Sequence, residues 1–157
     1  MIDYNIIKNI KIFEFLSNED INKLSGIIEE VILPNNTFIF KEGNIGHEMY
    51  CIKKGIVEIS KTVVANKRKP IAKLHTGQFF GEMALFDEQP RSANILTLEE
   101  TLLFKITKKS FSSFLNLYPK IGVKIYKSLV TELCERVRNT DDKIQENIFW
   151  GFVSKSR

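Results

Sequence analysis

Residues 81–94 read GEMALFDEQPRSAN, and the reading of this stretch decides what the rest of the chain must build. Gly81 opens it, a carboxylate follows at Glu82, and Pro90, Arg91, Ser92 and Ala93 nearly close it. Glycine lets a backbone approach a ligand closely. Free N–H groups at the start of a helical turn attract an anion. Arg91 offers a planar fork suited to phosphate oxygens, and Ser92 adds a hydroxyl. Glu82 repels a phosphate, so a hydrogen-bond donor is its natural partner. A ligand with a phosphate beside a free hydroxyl satisfies both residues. A plain Glu82–Arg91 salt bridge is the competing reading.

Upstream, short apolar runs alternate with turn residues. Pro34-Asn35-Asn36 and Glu42-Gly43-Asn44 read as turns around a strand at 37–40. Strands follow at 49–52 and, after Lys54-Gly55, at 56–64, with Val57, Ile59 and Lys61 on one side. A basic hairpin loop at 65–70 leads to a returning strand at 71–74, and Thr76-Gly77 turns again. Downstream, 93–98 and 101–106 read as a strand pair around Glu99-Glu100. Short strands at this spacing predict a compact antiparallel barrel or sandwich.

Helical periodicity flanks this β region. Ile6, Ile7, Ile10 and Phe13 share a face over 4–16. Ser17 as N-cap with Asp20 at the third position opens a second helix over 19–30, with Ile21, Leu24, Ile27 and Ile28 inside. Thr107 caps a short helix at 108–116, and Pro119 starts a long one running to about residue 149. The long helix carries two apolar faces. Ile121, Ile125 and Leu129 suit packing on the β region. Val123, Tyr126, Val130, Leu133, Val137, Thr140 and Ile144 step by three and four, as a coiled-coil seam does. A second copy of the helix suits that seam, which predicts a homodimer. The competing reading is a helix lying on its own domain only.

The chain has 157 residues and a net charge of +4, within the range of a single soluble domain. The basic residues read as a solvated face, with a nucleic-acid surface as the competing reading. Asp3, Lys8, Lys11 and Glu14 interrupt the first helix, so it reads as neither a signal peptide nor a membrane span. A cytoplasmic protein is expected. Cys51 and Cys134 stand far apart, and His47 and His75 are isolated, so no metal site is expected.

A 3′,5′-cyclic nucleotide meets the demand of residues 81–94, because its ring phosphate leaves only the 2′-hydroxyl free on the sugar. Phe80-Gly81-Glu82-Met83-Ala84-Leu85 followed by Pro90-Arg91-Ser92-Ala93 resembles the phosphate-binding cassette of the cyclic nucleotide-binding domain family. That family includes the bacterial catabolite activator, protein kinase A regulatory subunits and cyclic nucleotide-gated channels. Lys41-Glu42-Gly43, Gly55-Ile56-Val57 and Gly77 support the resemblance, which spans about residues 5–145.

The resemblance implies an α+β fold: an antiparallel β-roll of jelly-roll type (31–106), N-terminal helices (4–30) and C-terminal helices (108–149), in one domain over 1–157. It implies that Glu82 accepts from the ribose 2′-hydroxyl. Arg91 neutralises the phosphate, helped by Ser92 and by amides near Gly81 and Met83. Ile59, Ile71 and Leu74 line the sugar and base side, and Thr140 and Asp141 of the long helix cap the base. Two exposed polar residues are the other reading of Thr140 and Asp141. Ser92 follows the activator's usage and favours cAMP, although Ser92 and Asp141 would also suit cGMP.

Residues 150–157 are too few for the activator's helix-turn-helix, so no DNA-binding domain and no direct DNA binding are expected. No nucleophile–base pair is visible, so recognition rather than catalysis is expected. The output would be the long helix, read by a dimer or a protein effector. The alternative is a ligand-independent interaction module of the same fold.

Overall fold

Met49-Tyr50-Cys51-Ile52 has no charged member because its strand is buried on both faces. The computed structural model describes residues 4–63 and 67–155, with side chains described to residue 147. Among the described residues there are eight strands: β1 (Glu29–Leu33), β2 (Phe38–Phe40), β3 (Glu48–Lys54), β4 (Ile56–Thr62), β5 (Arg68–His75), β6 (Phe79–Phe80), β7 (Asn94–Thr97) and β8 (Thr101–Thr107). They form two antiparallel four-stranded sheets, ordered β1-β8-β3-β6 and β2-β7-β4-β5.

Side chains alternate across a strand, and here the alternation divides two cores. Tyr50, Ile52, Phe80 and Leu103 join Val57, Leu74 and Ile95 inside the roll. Met49, Cys51, Phe79, Phe104 and Ile106 face outward onto the helices. The helices are α1 (Tyr4–Lys8), α2 (Asn18–Leu24), α3 (Lys108–Leu117) and α4 (Pro119–Lys155). At 37 residues, α4 is about 55 Å long. Ile121, Ile125 and Leu129 are buried in the outer core, as the sequence predicts. Val123, Tyr126, Val130, Val137 and Ile144 are exposed, and Leu133 is half-buried. No described helix is long and apolar enough to cross a membrane.

Several boundaries differ from the sequence reading. The helix expected over 4–16 ends at Lys8 and resumes as a 3-10 turn, Lys11–Phe13, because the Lys11 N–H donates to the Gly77 carbonyl of the roll at 3.0 Å. The helix expected over 19–30 stops at Leu24, and a 3-10 turn at Ser25–Ile27 follows. Residues 29 and 30 belong instead to β1, where Glu29 faces Lys105 across the ladder. The expected 93–98/101–106 pair forms two strands that do not pair with each other. β7 joins β2 and β4, while β8 joins β1 and β3. The Thr97 hydroxyl donates to the Pro34 carbonyl at 2.7 Å, and that of Thr101 to the Glu99 carbonyl at 2.9 Å. These bonds make the connection a corner between sheets. The Val64 end of the predicted 56–64 strand, and the start of the basic loop at Ala65, lie outside the described residues.

Both predicted caps form. Thr107 Oγ1 accepts from the Ser110 N–H at 3.1 Å. Ser17 and Asp20 exchange side chain-to-backbone bonds in a capping box. Lys124 of α4 donates to Asp20 Oδ2 at 2.6 Å, tying the N-terminal helices to the long one. Burial pushes the Asp20 carboxyl up, but the bonds from Lys124 and Ser17 outweigh it and hold it below its ordinary value. A depressed carboxyl stabilises the fold above its unfolded pKa, about 3.9, and loses that contribution as pH falls through the folded value. Asp20→Asn is therefore expected to cost about 1–3 kcal/mol at neutral pH. Denaturant titrations across pH should show the gap to wild type closing in acid.

Candidate functional site

Gly81 ends β6 with φ +74°, a left-handed conformation that turns the chain into a short 3-10 helix, Glu82–Leu85. A Cβ there would lie 2.8 Å from Arg91 Nη1 and 3.3 Å from the Glu48 carbonyl oxygen. The glycine thus supplies both the turn and the room for the guanidinium. Gly46 supplies room from the other side, where a Cβ would sit 2.2 Å from Arg91 Nε.

Arg91 is 6% exposed. Its backbone is fixed first: its N–H donates to the Asn44 carbonyl at 2.8 Å, and its carbonyl accepts from the Gly43 N–H at 2.9 Å. The side chain then donates from Nη1 to the Gly81 carbonyl at 3.1 Å. Nη2 donates to the Glu48 carbonyl at 2.8 Å and to Glu48 Oε1 at 2.9 Å. The guanidinium carbon lies 4.0 Å from the centroid of the Phe40 ring. Arg91 Nε is buried without a hydrogen-bond partner. One N–H of a buried cation is thus left with no acceptor, which is rare.

Glu48 also accepts from the Tyr50 hydroxyl at 3.4 Å. Burial, then the nearby Glu48 charge, push the Tyr50 phenol up to about 12, so it remains a donor near neutral pH. Tyr50 stacks on Phe80, their centroids 5.4 Å apart, and Phe40 leans on both.

Glu82, also 6% exposed, does not pair with Arg91. It accepts instead from Arg136 Nη1 of α4 at 3.2 Å. Arg136 Nη2 donates to the Phe79 carbonyl at 2.8 Å, and its guanidinium stacks 4.6 Å from the Phe79 ring centroid. The direct Glu82–Arg91 salt bridge is therefore absent, and each residue has its own counter-charge.

These groups surround an open cavity of about 140 Å³. Of the residues expected from the sequence, Ile59, Phe80, Gly81, Glu82, Met83, Ala84, Arg91, Ser92 and Ala93 line it. Ile71, Leu74, Thr140 and Asp141 lie outside the lining. Ile71 is the extra residue at a bulge in β5, where Ile59 pairs Ala72 and Ser60 pairs Pro70, and it is exposed. Leu74 is buried in the inner core. Thr140 and Asp141 are exposed on α4, one turn beyond Arg136.

Sequence reasoning passed over Arg136, Phe40, Ile95 and the Glu48 counter-charge. One signal for Arg136 was present: a carboxylate as buried as Glu82 requires a cation. Arg136 lies in the helix segment already placed over the site. Gly46→Ala is expected to push the guanidinium off Glu48 and cost about 1–3 kcal/mol of stability. Unchanged denaturation would show that Arg91 accommodates the methyl group.

The sequence pattern of the cyclic nucleotide-binding domain matches residues 30–118. The chain is similar to the cyclic AMP receptor protein of Thermus thermophilus, 26% identical over 134 residues, 85% of this chain and 60% of that protein. It is similar to the cGMP-dependent protein kinase of Plasmodium berghei, 32% identical over 148 residues, 92% of this chain and 16% of that one. Both relatives are therefore considerably longer than the part this chain spans. A crystal structure of a cyclic nucleotide-binding domain from Methylobacillus flagellatus superposes with a TM-score of 0.82, at 28% identity, covering 91% of this chain and 80% of that one.

Proposed function

Because the chain belongs to the cyclic nucleotide-binding domain family, we propose that it is a receptor for a 3′,5′-cyclic nucleotide, with cAMP preferred over cGMP. The observation that carries this reading is the buried guanidinium of Arg91, which borders the cavity with its Nε unpartnered. A cyclic phosphate is a fitting acceptor, and at this depth a charge-assisted bond to it is strong. Glu82 Oε1 takes a bond from Arg136, which leaves Oε2 to accept from the ribose 2′-hydroxyl. Ser92 and the leading amides of the Glu82–Leu85 turn supply further donors. Ser92 favours adenine by analogy with the activator pattern.

Arg136, rather than Thr140 or Asp141, is the residue of α4 nearest the proposed sugar, so α4 would sense occupancy through it. The outer stripe of α4 repeats a heptad, with exposed β-branched Val123, Val130, Val137 and Ile144 at one position and Tyr126, half-buried Leu133 and Thr140 at the other. A seam of this spacing suits a second copy of the helix, and the homodimer remains the proposed assembly. One observation favours a ligand-independent interaction module: Arg91 and Glu82 are already paired, with Glu48 and Arg136.

Calorimetric titration with cAMP and cGMP separates the two readings. Wild type should bind with micromolar or tighter affinity. Arg91→Lys, which keeps the charge and loses the fork, should lose about tenfold or more. Arg91→Ala should abolish binding. No heat with either nucleotide from folded wild-type protein would support the interaction module. Val137→Lys should convert a dimer to monomer in sedimentation experiments, because it buries a charge in the seam. Monomeric wild type would leave α4 lying on its own domain.

A further inference from the structure

Lys11 stands where three parts of the chain meet. Its backbone N–H bonds the Gly77 carbonyl, in the turn that leads into β6. Its ammonium donates to Glu132 Oε2 of α4 at 3.0 Å and lies 3.6 Å from Glu135 Oε2. Glu132 is 7% exposed, and its other oxygen accepts from Arg136 Nε at 3.2 Å. Arg136 then reaches Glu82. A continuous line of alternating charges therefore runs from the N-terminal segment to the carboxylate of the cavity. Neither Lys11 nor Glu132 lines that cavity.

Arg136 has two carboxylates to answer, Glu82 and Glu132, and Lys11 offsets the charge of only one. Lys11 draws on Glu132 and so weakens its pull on Arg136, which donates to both carboxylates at 3.2 Å. Burial pushes the Glu132 carboxyl up, but the bonds from Lys11 and Arg136 outweigh it and hold it below its ordinary value. The bond to Glu132 raises the Lys11 ammonium. Lys11 and Glu132 are thus both charged near neutral pH.

We propose that Lys11 and Glu132 are positioning residues for the nucleotide site, and that they make the N-terminal segment an allosteric partner of the ligand. The proposal rests on the receptor reading above. Arg136 seated on Glu82 cancels a negative charge beside the incoming phosphate and leaves Oε2 for the sugar. That seating is the binding-competent arrangement. Coupling between two sites is reciprocal, so a ligand that requires this seating also strengthens the hold of α4 on Lys11.

The test is calorimetric titration of cAMP into the full chain, as wild type, Lys11→Met, Glu132→Gln and the double variant. Thermal melting of each gives its folded fraction. Lys11→Met frees Glu132 to draw Arg136 away, and should weaken cAMP binding by about threefold or more. Glu132→Gln keeps an oxygen for Arg136 Nε but removes the competing charge, and should shift affinity the opposite way. The double variant should match Glu132→Gln, because Lys11 then has no charge to offset. Shifts in the same direction that add would indicate lost packing alone and overturn the relay. Unchanged affinity in both single variants would also overturn it. Failure of folded wild type to bind cAMP or cGMP overturns the receptor reading itself, and is read separately from the variants.

Discussion

A guanidinium removed from water must find counter-charge and acceptors, and the way Arg91 finds them organises this protein. Its partners come from three separated places: the Gly81 carbonyl, the carbonyl and carboxylate of Glu48, and the backbone of residues 43 and 44. Each must be held within hydrogen-bond reach, so the first sheet, the turn after β2 and the cassette are fixed relative to one another. Two glycines are required because a Cβ at either position would overlap the side chain. Burying such a cation is costly unless every donor is answered. Arg91 leaves its buried Nε–H unanswered, and the proposed phosphate would answer it.

Glu82 meets the same constraint with its sign reversed. Its counter-ion comes from α4, so the helix that packs on the roll through Ile121, Ile125 and Leu129 also reaches the cavity through Arg136. Phe79 and Phe80 make this geometry possible. Adjacent residues of a strand point to opposite faces, so Phe79 supports Arg136 on the helix side while Phe80 floors the cavity on the other. The cavity and α4 thereby share one two-residue strand as a support. The ion pairs of Glu132 and Asp20 extend the link to the N-terminal helices.

Much of this was legible in the sequence, and the failures have physical causes. The β-roll, the capping box at Ser17, the cap at Thr107 and the two faces of α4 follow from local pattern, and the structure contains them. The cassette residues 80–84 and 91–93 come together because they are close in sequence and turned by Gly81. Pairing between strands is a long-range property, so the strand reading of 93–98 and 101–106 missed that they belong to different sheets. Ile71 lies outside the cavity lining because a bulge shifts register, and no residue type announces one. The cation opposite Glu82 was missed because Arg136 lies 54 residues away along the chain. Assigning it required the rotation of α4 to one turn, which periodicity alone does not give.

The central claim is that Arg91 Nε meets a ligand phosphate, and nitrogen-15 NMR of the Arg91 side chain addresses it directly. The Nε–Hε resonance should move strongly downfield when cAMP is added to saturation and become protected from exchange, as formation of a charge-assisted hydrogen bond requires. A resonance that stays in place while nucleotide is bound would show that the phosphate sits elsewhere, and would contradict the account of this site.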